Sequence, residues 1–347
     1  MVSSAHRLAN GIDALFERLG LDFHGYSQRH PQQAERTGVW LLAVGQTIGF
    51  AGLYYIFAAL LLTWDQSFTW GKESLTFAFM VSIISAVISP LTGRVVDRGL
   101  SRWLLSGGMV LGGLALLLLG FAEHYWLFLL CWVLLGIAQG ACLYEPCFAF
   151  LTRTTGAEAT RNITKVTLLA GFASTLAFPS GAFLAEALGW SGASWVFAGA
   201  VLLIGVPALY AGATMIECCP HDSHSVEAKN RDRAAVRAAL RKPEFWLIFL
   251  AFPLIGLTEG LILIHIVPIL TSSGLSLSEA VLVSALFGPM QVAGRLAMMR
   301  LDNRLRPVPL TILSFSGILV AVLLLMSVED VPMAAYGFSL LFGAAMD

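Results

Sequence analysis

The apolar residues of this 347-residue chain come in long blocks separated by short polar connections. Each block is about 20 residues, the length that carries an α-helix across a ~30 Å hydrocarbon core. The blocks fall at 39–63, 75–92, 103–122, 125–150, 164–188, 193–216, 245–271, 279–299 and 308–328, and a tenth begins near Pro332. Few folds accept that pattern. Lipid offers backbone N–H and C=O groups no partner, so each block must close its own hydrogen bonds as a helix. A soluble chain would show amphipathic stripes, because one face of each helix must stay wet. Composition agrees, with 57% hydrophobic and 12% charged residues, where soluble domains carry about a quarter charged. The expected fold class is an all-α polytopic membrane protein.

The placement of positive charge tests the helix count. The N-terminal arm and the loops after helices two, four, six and eight hold 20 of the 21 Lys and Arg residues, and Lys72 alone falls in the other set. So lopsided a partition predicts a cytoplasmic N-terminus and a multi-pass protein of the cell inner (plasma) membrane. It would collapse if one helix in the middle had been missed. More than thirty residues precede the first apolar block, so that block reads as a retained signal-anchor helix, not a cleavable leader. The five cysteines imply no disulfide framework, since three lie inside apolar blocks and two are vicinal.

Four regions follow. Residues 1–37 form a cytoplasmic arm whose Leu8, Ile12, Leu15, Phe16 and Leu19 make a helical stripe. That stripe fits an interfacial helix, or equally a loosely structured tail. Residues 38–216 hold six helices. Residues 217–243 form a charge-rich cytoplasmic loop, in which Glu227–Leu240 reads as a short amphipathic helix ended near Pro243. Residues 244–347 begin a second bundle.

The most specific stretch joins helices two and three: Gly93-Arg94-Val95-Val96-Asp97-Arg98-Gly99-Leu100-Ser101-Arg102. It resembles the signature loop of the major facilitator superfamily, a Gly, three residues, Asp-Arg, then a further Gly and Arg. Gly93, Asp97, Arg98 and Arg102 match, and Gly99 stands one or two positions early. Physically, a Gly permits close helix approach and a tight turn, and arginines suit helix C-termini and anionic lipid heads. A weaker echo after helix eight runs Gly294-Arg295, then Arg300-Leu301-Asp302-Asn303-Arg304. Repetition after helices two and eight fits two repeated six-helix halves. The lead-in to helix seven, Ala239-Leu240-Arg241-Lys242-Pro243-Glu244-Phe245-Trp246, resembles that of bacterial monocarboxylate and oxalate–formate type carriers.

The resemblance covers about residues 38–347 and implies a major facilitator type fold, two six-helix bundles with the second incomplete. Twelve spans are expected there, and nine and part of a tenth are present. From Pro332 to Asp347 the chain covers roughly 24 Å as a helix, short of the ~30 Å core. The expectation is a C-terminally truncated piece of a longer reading frame, without sustained transport of its own.

Ionisable residues inside the spans are where a solute path is sought, because each is costly in hydrocarbon unless paired or wet. Arg295 lies four residues after Gln291 in helix eight, so the two share a face. In monocarboxylate-type carriers an arginine in this region binds the substrate carboxylate, and the resemblance implies that role for Arg295. An aspartate stands there where this chain has Gln291, which puts proton coupling through that position in doubt. Arg295 equally fits an anchor snorkelling at the cytoplasmic end of helix eight. Glu259 stands near the middle of helix seven, too deep to snorkel. Burial disfavours charge on a carboxyl, and such a group can take up and release a proton. Glu145 in helix four ranks below it, since it can instead pair with Arg153 or Lys165. His265 lies about 240° round the helix from Glu259 and reads as an interhelical hydrogen-bonding residue. Gln46, Tyr54 and Tyr55 in helix one, and Gln139 and Tyr144 in helix four, fit a polar lining or interhelical glue. The pairs Gly45/Gly49 and Gly136/Gly140 permit close backbone packing.

No nucleophile–base pair, phosphate loop or metal signature is present; Cys218-Cys219-Pro220-His221 matches no zinc spacing. The expected function is secondary active transport of a small organic anion, such as a monocarboxylate, by alternating access with a proton as coupling ion. The candidate substrate set is Arg295, Gln291, Tyr54, Gln46 and Tyr144; the candidate proton set is Glu259 and Glu145. The gating loop motif is Gly93, Asp97, Arg98 and Arg102. The expected partners are a small-molecule solute and the lipid bilayer, with no nucleic acid, no cofactor and a monomeric state. A non-transporting receptor or sensor on a carrier fold is the alternative. A membrane-embedded enzyme would need convergent catalytic residues, and none assemble.

Overall fold

The computed structural model describes residues 23–219, 240–302 and 307–345. The stripe from Leu8 to Leu19, the loop helix Glu227–Leu240 up to residue 239, and Asn303-Arg304 of the echo lie outside the described residues. Every described segment of secondary structure is helical. By length and composition, five helical stretches can cross a membrane: Pro31–Ser67, Gly71–Asp97, Ser101–Leu119, Tyr125–Glu217 and Leu277–Ala297. Shorter apolar helices run over Gly256–Ser272, Thr311–Met326 and Ala334–Ala345. The protein is a multi-pass α-helical membrane protein.

Helix one begins at Pro31, where proline's fixed φ and absent N–H suit a first turn. It is not uniform: Pro31–Gly49 passes into a π-turn at Phe50–Tyr55, then continues as Ile56–Ser67. Helix two runs from Gly71 to Val81 and from Ile84 to Asp97, and helix three over Ser101–Leu119. Helix four consists of Tyr125–Cys142 and Tyr144–Thr155, separated at Leu143. Helices five and six share the stretch Ala173–Ala200, turned at Gly189, whose φ of 71° a side chain would resist.

Two compact units emerge. The first holds Met1–Leu53, Ala78–Ala170 and Trp195–Pro220; the second holds Tyr54–Phe77, Gly171–Ser194 and His221–Asp347. Helices one, two and five thus contribute to both.

Within the first unit, small residues decide which helices meet. A Cβ on Gly38 would lie 2.8 Å from the carbonyl oxygen of Gly212, and one on Gly212 the same distance from that of Gly38. Helix one therefore touches helix six backbone to backbone. Gly136 and Gly140 do the same for helices four and two, against the Ser82 and Ser85 backbone oxygens at 2.8 and 2.9 Å. Lipid supplies no hydrophobic drive between helices, so dispersion at such close crossings carries the association. Overpacking one by a methyl costs about 1–3 kcal/mol.

Within the second unit, Phe287 of helix eight meets Phe338 and Phe342 of helix ten at 5.7 Å between centroids. Ser339 donates to the carbonyl of Val283 at 2.6 Å. Gly294 and Gly343 bring the two backbones together, and a Cβ on Gly343 would sit 3.0 Å from the Phe287 oxygen. Helix five joins helix eight through Thr175, which donates to the Ala285 carbonyl at 2.9 Å.

Candidate functional site

The loop after helix two shows which of its glycines is conformationally required. Gly99 takes φ +74°, its N–H reaches the Val96 carbonyl at 3.0 Å, and Leu100 N–H reaches that of Val95 at 3.3 Å. This pair of bonds is a Schellman cap, which needs a left-handed residue just past the helix. The early position of Gly99 is thereby explained. Of the two roles a glycine in this loop could play, Gly99 fills the tight turn, while Gly93 is helical and a Cβ there would meet nothing within 4 Å. Arg153 of helix four donates to the Val96 carbonyl at the same cap. Asp97 and Arg98 are exposed. Arg102 pairs with Glu217 at the end of helix six, Nε to Oε2 3.7 Å, and its N–H donates to Oε1 at 3.3 Å.

Two expected pairings of Glu145 do not form. Arg153 is spent on Val96, and Lys165 donates to Asn162 Oδ1 at 2.9 Å. Glu145 stands exposed in the first turn of the second segment of helix four. Tyr144 packs beside it, stacked on Phe148 at 4.8 Å and 4.2 Å from the Phe50 ring.

Gln46 is fully buried, and its Nε2 donates to the Cys142 carbonyl at 2.7 Å. Gln139 donates in the opposite direction, to the Leu53 carbonyl at 2.8 Å.

The second unit brings Tyr54 and Glu259 together. A Cβ on Gly260 would lie 3.8 Å from the Tyr54 hydroxyl, and Glu259 is within electrostatic reach of that phenol. Both side chains are half-buried, as are Gln291 and Arg295 one turn apart on helix eight. His265 sits 3.4 Å from Thr76 Oγ1 and helps line a cavity of about 430 Å³ with Lys72, Pro268 and Ser272. Tyr55 turns away into the core, 5.2 Å from Tyr54 and edge-on to it, and meets Phe178. Sequence reasoning missed the Arg102–Glu217 pair and the Glu35–Asn162 contact at 2.8 Å. Both join residues more than a hundred positions apart, and no spacing rule reaches that far.

A family model described as Major Facilitator Superfamily matches residues 42–347. The chain belongs to that superfamily. Among solved structures, this major facilitator chain is similar to a crystal structure of a D-xylose-proton symporter, with a TM-score of 0.64 and 12% identity. The match covers 89% of this chain and 79% of that one, and shows a shared fold. A search of curated proteins returns no match. Membership points to a secondary transporter of small-molecule solutes rather than an enzyme.

Proposed function

We propose that the chain is a secondary carrier for a small organic anion, with a monocarboxylate the best-fitting class and a proton the coupling ion. It works by alternating access in the inner (plasma) membrane, with its N-terminus in the cytoplasm. The observation that carries this reading is the placement of Tyr54 against Gly260 and Glu259 in the middle of helix seven. A carboxyl at that depth beside a phenol can take up and release a proton. Arg295 supplies the complementary chemistry: a half-buried guanidinium whose fork matches a carboxylate in two parallel hydrogen bonds. Gln291, one turn earlier, offers an amide beside it. Proton coupling is also in keeping with the neighbour of like fold, a D-xylose-proton symporter. Alternating access would have to break the Thr76–His265 and Thr175–Ala285 contacts, which tie helices two and five to helices seven and eight. The loop of Gly93, Asp97, Arg98 and Arg102 gates on the cytoplasmic side.

A thermal-shift screen of organic acids on the purified protein tests this, followed by flux in proteoliposomes with an imposed pH gradient. Arg295→Lys keeps the charge and loses the fork, and Arg295→Ala loses both. Removing a charge-assisted pair costs about 1.5–3 kcal/mol, or roughly 10- to 150-fold in affinity. Unchanged affinity in Arg295→Ala would make the residue an interface anchor. Binding without flux in the native sequence would favour a receptor on a carrier fold.

A further inference from the structure

Helices one and four each contain one irregular turn, and each irregular turn is held by an amide from the other helix. Helix four separates at Leu143, whose ψ of −154° is extended, between Tyr125–Cys142 and Tyr144–Thr155. The chemical reason lies at Pro146. A regular helix would bond the N–H of residue 146 to the carbonyl of Cys142, and proline has no N–H. The Cys142 carbonyl is thereby left without its helical donor in a region where no water replaces it. Gln46 fills that place, its Nε2 donating to the Cys142 oxygen at 2.7 Å. Gln46 is fully buried, and the Cys147 thiol lies against the same amide.

The second half of the exchange runs the other way. Helix one passes through a π-turn at Phe50–Tyr55, where an inserted residue disturbs the ladder of carbonyl partners. Gln139 reaches across from helix four and donates to the Leu53 carbonyl inside that turn at 2.8 Å. Position 49 is glycine, and a Cβ there would crowd the side chains of Met109 in helix three, at 2.9 Å from Cε, and of Leu143 in helix four, at 3.1 Å from Cδ2. Residues adjoining these turns are the ones that present polar groups: Tyr54 from the π-turn, Tyr144 and Glu145 from the restart of helix four.

We propose that Gln46 and Gln139 are positioning residues, a reciprocal pair of amide staples that set the bends of helices one and four and so aim Tyr54, Tyr144 and Glu145. Their Nε2 groups donate to backbone carbonyls, while the Gln46 Oε1 is buried without a hydrogen bond of its own, and both residues serve solute through those side chains. The assignment stands independently of which solute is carried, because its test uses no substrate.

The test compares the full chain in four forms: native, Gln46→Leu, Pro146→Ala, and the double variant. Two quantities are read, the thermal midpoint in detergent and the rate at which a Glu145→Cys side chain reacts with a water-soluble maleimide. Gln46→Leu should lower the midpoint by several degrees and change the labelling rate severalfold. Pro146→Ala restores an N–H for Cys142, so adding Gln46→Leu to it should cost less than half as much in both readouts. Equal cost in the two backgrounds would overturn the proposal, as would no effect of Gln46→Leu on either. If Gln46→Leu alone yields no folded protein, recovery of folded protein in the double variant supports the staple, and failure to recover it overturns it.

Discussion

The polar residues inside the spans fall into two groups that differ in what their side chains are free to do. Gln46 and Gln139, between helices one and four, are buried and give their N–H donors to backbone carbonyls of the opposite helix. Tyr54, Glu259, Gln291 and Arg295, on helices one, seven and eight, are half-buried, with part of each side chain accessible. The difference teaches that polarity inside an apolar block does not by itself mark a path for solute. A buried amide next to a helix irregularity repairs the backbone, because a buried carbonyl without a donor is costly in a region where lipid supplies none. A titratable or cationic group left half-buried keeps part of its side chain within reach of a solute.

The sharpest way to break that contrast is Glu259→Gln, which keeps the shape and removes the proton. In a carrier that titrates one carboxyl, activity changes by about tenfold per pH unit on the flank of the transition. The variant is expected to show a flat profile, with folding unchanged, when uptake or acid-induced thermal shift is followed from pH 5 to 8. A profile identical to that of the native protein would move Glu259 into the structural group.

A smaller effect is expected on the other side of the contrast. Gln139→Leu removes the donor to Leu53 and leaves that carbonyl buried without it, a loss of about 1–3 kcal/mol in stability. Unfolding of the purified protein in mixed detergent micelles measures it. A variant as stable as the native chain would show that the π-turn needs no staple, and would return Gln139 to the candidate lining.

The helical fold and the loop motif were legible because both are local: hydrophobic length sets the spans, and the motif lies within the ten residues Gly93–Arg102. The Gly136/Gly140 pair was equally legible, since both meet the Ser82 and Ser85 backbone, whereas Gly45 and Gly49 face mainly the side chains of Leu209, Met109 and Leu143. Within the motif, the residue types allowed close approach or a tight turn at either glycine, and the backbone bonds of residues 95–100 reveal Gly99 as the one that must be glycine. The break in helix four carried a readable signal in Pro146, yet proline inside a membrane helix is common and does not say which side chain answers it. The partner, Gln46, lies 96 positions away. Such pairings are a property of helix packing, which no periodicity encodes. The same holds for Arg153 and Lys165, whose real partners displaced the expected ion pairs with Glu145.

The last prediction bears least on transport and concerns a thiol that belongs with the buried, bonded groups. Cys219, just past helix six, is buried, and its Sγ donates toward the carbonyls of Met215 at 3.2 Å and Pro31 at 3.4 Å. Burial pushes its pKa up to about 11, and the nearby Glu35 carboxylate pushes in the same direction. Only the thiolate reacts with alkylating reagents. At pH 8 about one Cys219 in a thousand is ionised, against roughly a quarter of ordinary thiols with pKa near 8.5. In a Cys218→Ser background, alkylation at Cys219 followed by mass spectrometry is expected to run at least about a hundredfold slower than for a free thiol. The rate should climb steadily from pH 8 to 11, because the acid form is favoured in the folded protein up to that point. A plateau below pH 9.5 would mean that the thiol is open to water, and that the end of helix six is not closed over it by Pro31 and Met215.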